Sequence, residues 1–181
     1  MKVIKTPLTG VVLIEPRIFG DARGFFCETY QAERYAEAGI DARFVQDNVS
    51  RSGRGTLRGL HFQAPPHAQD KLVSCLDGSV FDVAVDLRVG SSTYGEWFGA
   101  ELSAANMRQM FVPRGFAHGF VVTSETALFS YKVSGVYAPH AEGTVAWDDP
   151  DLAIDWPITQ PVLSDKDATA PHLADLDSPF R

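Results

Sequence analysis

Glycine and proline punctuate this chain from end to end, 15 Gly and 11 Pro in 181 residues, and the stretches between them are short and rich in β-branched or aromatic side chains. That spacing leaves little room for helices and reads as many short strands joined by turns. The clearest strand is Val80 to Leu87, where Phe81, Val83, Val85 and Leu87 share one face and Asp82, Ala84 and Asp86 the other. Asp77-Gly78 just before it is a hairpin signal, because the pair accepts the positive φ of a type I′ turn. Further strands are expected near 11–15, 24–29, 43–49, 57–63, 71–76, 95–102, 109–112, 117–123, 127–134 and 144–147. Only Gln31 to Ala38 has helical composition, with Gly39 placed to end it. The expectation is an all-β sandwich or barrel, in which closure or double-sheet packing removes exposed edges.

The charge distribution divides the chain in a second way. Lys and Arg number 16 against 23 Asp and Glu, a formal net charge of −7. Residues 1–140 hold 14 acids and 14 bases, whereas residues 141–181 hold nine acids against Lys166 and Arg181. The whole excess therefore lies in the last stretch, which also carries Pro150, Pro157, Pro161 and Pro171 and reads as an acidic C-terminal wrap on a single 1–181 domain. Its acids are expected to be mostly solvated. With 45% hydrophobic residues the chain can bury a core, and disorder is excluded as the main state. An acidic chain without a long basic patch is no general nucleic-acid or anionic-membrane binder. The longest apolar run near the N-terminus, Val11 to Ile14, is too short for a signal peptide or a membrane span, so a cytoplasmic location is expected. Cys27 and Cys75 are too few for a disulfide scaffold and are expected to be buried free thiols.

Several polar residues interrupt the strands. Gln46 and Asn48 share a face of one expected strand, and His61 and Gln63 share a face of another. Simple alternation would send Arg58 and His61 to opposite faces, so a common pocket requires Gly59 to reset the register at a bulge. Arg51, Arg54, Arg58 and Lys71 form the one local basic cluster, with Asp70 as its only acid; Arg51 and Arg54 also fit a solvated loop. His118 lies between apolar neighbours in Gly115-Phe116-Ala117-His118-Gly119-Phe120 and fits a hydrogen-bonded core residue as well as a functional one. Tyr131 shares the inward face of Phe129 and Val133 and could likewise be ordinary core.

The five histidines, His61, His67, His118, His140 and His172, include no pair at the i, i+2 or i, i+4 spacing that converges on an ion, so no metal site is expected. There is no glycine-rich phosphate loop and no Gly-x-Ser-x-Gly elbow. One or two histidines, a tyrosine, lysines and arginines in a β framework suit proton transfer on an anionic substrate.

At these residues the chain resembles the dTDP-4-dehydrorhamnose 3,5-epimerases, deoxysugar epimerases of the cupin-like jelly-roll class. The resemblance rests on Gly20-Asp21-Ala22-Arg23-Gly24-Phe25-Phe26 with Glu28, Phe44-Val45-Gln46-Asp47-Asn48, Leu57-Arg58-Gly59-Leu60-His61, Ala68-Gln69-Asp70-Lys71-Leu72, Asp82-Val83-Ala84-Val85-Asp86, Gly115 to Phe120, Tyr131-Lys132, Trp147-Asp148-Asp149-Pro150 and Leu163-Ser164-Asp165-Lys166-Asp167, in the family's order. It implies a dTDP-4-dehydro-6-deoxy-D-glucose substrate inverted at C3 and C5 with neither cofactor nor metal, and a homodimer whose first strands cross to the partner. It further implies His61 as base, Tyr131 as acid, Lys71 as the cation near the enolate oxygen and Asp167 as the partner that orients His61. Arg23, Glu28, Gln46, Asp47, Asn48, Arg58, Lys71, His118, Glu142 and Lys166 would bind the nucleotide sugar, with Tyr137 stacking on a ring. Phe62 stands where the family usually has Tyr, Asp70 where it usually has Gly and Thr56 where a branched apolar residue is usual. A carboxylate at Asp70 could pair with Lys71 or weaken phosphate binding.

Overall fold

The computed structural model describes all 181 residues. Thirteen strands follow in chain order: β1 (Lys2–Lys5), β2 (Val12–Glu15), β3 (Ile18–Asp21), β4 (Gly24–Cys27), β5 (Gln46–Gly53), β6 (Leu57–Gln63), β7 (Lys71–Asp77), β8 (Ser79–Asp86), β9 (Trp97–Ser103), β10 (Gln109–Val112), β11 (Phe116–Val122), β12 (Thr126–Val133) and β13 (Glu142–Thr144). Two short α-helices are α1 (Ala32–Glu37) and α2 (Asp165–Ala168). A six-stranded sheet runs β1-β2-β10-β7-β12-β5 and a five-stranded sheet runs β13-β6-β11-β8-β9, while β3 and β4 form a separate hairpin. The fold is all-β, as the punctuation implies, and its neighbouring strands are antiparallel throughout.

Side chains from the facing sheets make the largest core. Val73, Cys75, Met110 and Phe129 of the six-stranded sheet pack with Val80, Ala84, Leu102, Phe116, Phe120 and Val122 of the five-stranded one. Strand β8 is buried on both faces. Its Val83 and Val85 turn outward and are covered by Leu152, Leu173, Ile154, Trp156, Leu176 and Phe180 of the acidic C-terminal stretch. That stretch is therefore an apolar cover whose acids are mostly turned to water, as expected, with two exceptions. Asp149 and Asp167 are buried; Asp149 accepts hydrogen bonds from the backbone N–H groups of Asp151, Leu152 and Leu173 and thereby folds the cover.

Helix α1 closes part of the other sheet's outer face, with Tyr35 set against Ile14, Leu72 and Phe111. The Gln31 side chain accepts from the Arg34 N–H at its start, and Gly39 at φ +87° ends it. Other expectations shift. Asp77-Gly78 does not make a hairpin but turns the corner from one sheet into the other, because β7 pairs with β10 and β12 while β8 pairs with β9 and β11. The polar strand expected at 43–49 runs instead from Gln46 to Gly53, held along its length by β12. The last one begins at Glu142 and ends at Thr144. Strands β1 and β3 went unread, being four residues long with polar or glycine interruptions. Cys27 is only partly buried, whereas Cys75 is buried; both are free thiols.

The bulge needed at Gly59 is present. Opposite β11, His61 pairs with His118 and Arg58 with Phe120, so three steps on β6 match two on β11. Gly59 has φ +144°, and a Cβ there would lie 2.5 Å from the Gly119 Cα. Gly59→Ala is expected to destabilise the chain by roughly 2 kcal/mol or more, read as a lowered denaturation midpoint.

Candidate active site

A cavity of about 460 Å³ opens between the two sheets. Gln46, Asn48 and Ser50 of β5, Lys71 of β7 and Phe129 and Tyr131 of β12 line one side. Arg58 and His61 of β6 and His118 and Phe120 of β11 line the other, and Tyr137, Glu142, Ser164, Lys166 and Asp167 complete the wall. The β6 bulge is what puts Arg58 and His61 in the same cavity.

The shortest polar contact among these groups is His61 Nε2 to Asp167 Oδ1, 2.6 Å. Burial of Asp167, 4% exposed, pushes its carboxyl up, but His61, the Ser164 hydrogen bond and the Lys166 charge together hold it below its ordinary value. An ionised carboxylate can only accept, so Nε2 carries the ring proton and Nδ1 is left as the basic nitrogen. Ser164 fixes this geometry locally, its hydroxyl accepting from the Asp167 N–H at the start of α2. Lys71 Nζ donates to the His61 carbonyl at 3.3 Å. Burial pulls this ammonium down to about 8, with Asp82 and Glu142 opposing that pull and Lys166 adding to it. Burial pushes the Tyr131 phenol up, against the pull of Arg58, so Tyr131 is protonated at neutral pH.

His118 turns out to be both core and wall. Its Nε2 sits 3.0 Å from each oxygen of the buried Asp82, and its ring stacks on Phe129. Burial raises the Asp82 carboxyl, opposed by its attraction to His118 and Lys71. Arg58 makes one side-chain hydrogen bond, to Ser52 Oγ at 3.1 Å. It thus brings an unneutralised cation to the cavity, as an anionic ligand requires. Gln46 Nε2 donates to Asn48 Oδ1, and Glu142 bridges the Lys166 ammonium at 2.8 Å and the Tyr137 hydroxyl at 3.3 Å.

Three expected ligands lie elsewhere in this chain. Asp47 alternates to the opposite face of β5, where it pairs with Lys132 at 2.9 Å. Arg23 sits on the β3–β4 hairpin, bonded to Asp21, and Glu28 follows β4, bonded to Arg34; neither reaches the cavity. Arg51 and Arg54 are exposed and outside it; Arg54 lies in the turn after β5, whereas Arg51 stands on β5 itself rather than in a loop. Asp70 points away from Lys71 and is held by the Arg114 backbone and guanidinium and the Ser134 hydroxyl. Its departure from the family pattern therefore leaves the lysine untouched.

The sequence reading gave no site role to Ser50, Asp82 and Ser164. Ser50 continues the i, i+2 series from Gln46 and Asn48, and Asp82 is an acid within an apolar strand, so both left a signal; Ser164 left none beyond its capping position.

The family model described as dTDP-4-dehydrorhamnose 3,5-epimerase matches residues 5–175. A dTDP-4-dehydrorhamnose 3,5-epimerase of Pseudomonas aeruginosa is 54% identical over 179 residues, 98% of each chain. The crystal structure of a dTDP-6-deoxy-D-glucose-3,5-epimerase from Legionella pneumophila, in complex with dTDP-4-keto-L-rhamnose, superposes with a TM-score of 0.95 at 52% identity, covering 99% of this chain and 96% of that one. A dTDP-4-dehydrorhamnose 3-epimerase of Streptomyces niveus is 44% identical over 97% of this chain and 85% of its own length.

Proposed function

The chain belongs to the dTDP-4-dehydrorhamnose 3,5-epimerase family and inverts C3 and C5 of a dTDP-4-dehydro-6-deoxy sugar, and we propose that the cavity between its sheets carries both inversions. Each carbon is α to the C4 ketone. Loss of its proton leaves an enolate with charge on the C4 oxygen, and return of a proton to the other face inverts the centre. No electron is gained or lost, so the balance calls for an acid, a base and a cation rather than a redox group.

The residues supply these parts. His61 Nδ1 removes the proton, and Asp167 stabilises the imidazolium that results. The phenol of Tyr131, on the opposite sheet, delivers a proton from the other side. Lys71 faces the developing enolate charge, with His118 beside it. Arg58 takes the diphosphate, and Gln46, Asn48, Glu142, Lys166 and the ring of Tyr137 hold the rest of the nucleotide sugar. The observation that carries this reading is the 2.6 Å His61–Asp167 pair with Lys71 and Tyr131 in the same cavity. Product analysis by NMR after incubation with the 4-keto sugar tests it: the product with both centres inverted is expected, and recovery of unchanged sugar contradicts it.

The lysine sets a pH limit. Its cationic form stabilises the enolate and is lost as pH rises through about 8. In the free enzyme kcat/KM is therefore expected to fall on the alkaline side near that pH. Lys71→Met should remove this limb and lower kcat about a hundredfold; a profile unchanged by the substitution would take Lys71 out of the reaction.

We infer that the working unit is a homodimer in a reducing cytoplasm, consistent with two free thiols. The β3–β4 hairpin leaves Phe25 61% and Phe26 68% exposed, an apolar patch suited to a second copy of the chain. Arg23 and Glu28 sit on or next to that hairpin, outside their own cavity, and would serve the partner's. Light scattering should give twice the 19.8 kDa chain mass. Phe25→Asp with Phe26→Asp should give monomers with raised KM, and an unchanged dimer would move the interface elsewhere.

A further inference from the structure

A second pair of histidines meets outside the cavity. His67, in the loop after β6, and His140, in the segment after β12, place their Nε2 atoms 3.2 Å apart, with ring centroids 4.8 Å apart and planes at 87°. They are 73 positions apart in sequence, so a search for local ligand spacing passes over them. The two segments are held together independently of the rings. Gln63 Nε2 donates to the His67 carbonyl at 2.8 Å and Gln63 Oε1 accepts from the Ala138 N–H at 2.8 Å, while Gln69 Nε2 donates to the Gly135 carbonyl. Proline precedes each histidine, at Pro66 and Pro139, and limits the backbone on both sides. The backbone segments that carry the two rings are thus held together by bonds that do not involve the rings.

We propose that His67 and His140 form a two-histidine site for a late first-row divalent cation such as Zn²⁺ or Ni²⁺. Two imidazole nitrogens bound at about 2.0–2.1 Å in a tetrahedral shell lie about 3.3–3.4 Å apart, close to the separation already present. Imidazole is the ligand class such ions favour over magnesium or calcium. In the pair as it stands, one Nε2–H donates to the lone pair of the other ring. Coordination needs both lone pairs, so the donating ring's proton moves to its own Nδ1, and a neutral pair releases no net proton. No third His, Cys, Asp or Glu joins them. His140 is exposed and His67 partly so, which lets water complete the shell. The ion would clamp the segment that carries Tyr137 and Glu142 at the cavity wall, without touching His61, Lys71 or Tyr131.

The test is a calorimetric titration of tag-free protein with ZnCl₂ and, separately, NiCl₂. Wild type, His67→Ala, His140→Ala and His61→Asn are compared, each with a thermal unfolding scan with and without the ion. One ion per chain is expected in wild type and in His61→Asn, with a raised unfolding temperature. Each alanine variant should weaken binding by about tenfold or more and lose the thermal shift. Absence of binding in wild type overturns the proposal, as does affinity that survives both alanine substitutions. Loss of binding in His61→Asn alone also overturns it, by moving the ion into the cavity.

Discussion

His61→Asn is expected to lower kcat about 10³-fold while leaving the affinity for dTDP within a fewfold of wild type. The argument starts from the 2.6 Å contact with Asp167, a buried carboxylate that stays ionised because His61 faces it. That contact fixes the ring proton on Nε2 and leaves one basic nitrogen for the substrate. Asparagine is close in size and polar, so it fills the site and can still bond Asp167, but it accepts no proton at neutral pH. The affinity should survive because Arg58, Gln46 and Asn48, proposed above to hold the nucleotide sugar, line the cavity separately from His61. Turnover within tenfold of wild type would mean that another group is the base. His118, paired to Asp82, would be the first alternative.

Tyr131→Phe should separate proton removal from inversion. The phenol lies on β12 across the cavity from His61 on β6, and burial keeps it protonated and able to donate. Without its hydroxyl, His61 can still take a proton and, after exchange with solvent, return a deuteron to the same face. The variant in D₂O is therefore expected to label the starting sugar without inverting it, with product formation down by about 10²–10³-fold. Loss of exchange together with inversion would contradict separate roles. Phenylalanine keeps the tilted ring contact with Phe129, centroids 6.2 Å apart and planes at 41°, so the fold should be unaffected.

How far the sequence could be read depended on whether a feature was local. Alternation placed Gln46 with Asn48 and Tyr131 with Phe129, and the clash between alternation and a shared pocket for Arg58 and His61 pointed to the bulge at Gly59. Those are consequences of backbone geometry over a few residues. The Asp77-Gly78 corner was misread because a turn signal says that the chain reverses, not which sheet it joins next. The cover over β8 was hidden by composition: acids dominate the count after residue 140, while Leu152, Trp156 and Leu173 do the packing. Asp82 became meaningful only when the fold brought it against His118, 36 positions away, and no local pattern ties Asp167 to His61 across 106 positions. Family resemblance supplied Asp167 in advance, and nothing in the spacing could have done so. The same limit applied to His67 and His140.

The most direct test of the cavity as the place of two inversions is the wild-type reaction run to equilibrium in D₂O and read by NMR. Each inversion passes through loss of a carbon-bound proton, so deuterium is expected at both C3 and C5 of the inverted product, with both labels lost in His61→Asn. Deuterium at one carbon only, the other retaining hydrogen and its original configuration, would contradict double epimerisation and make the chain a single-centre epimerase.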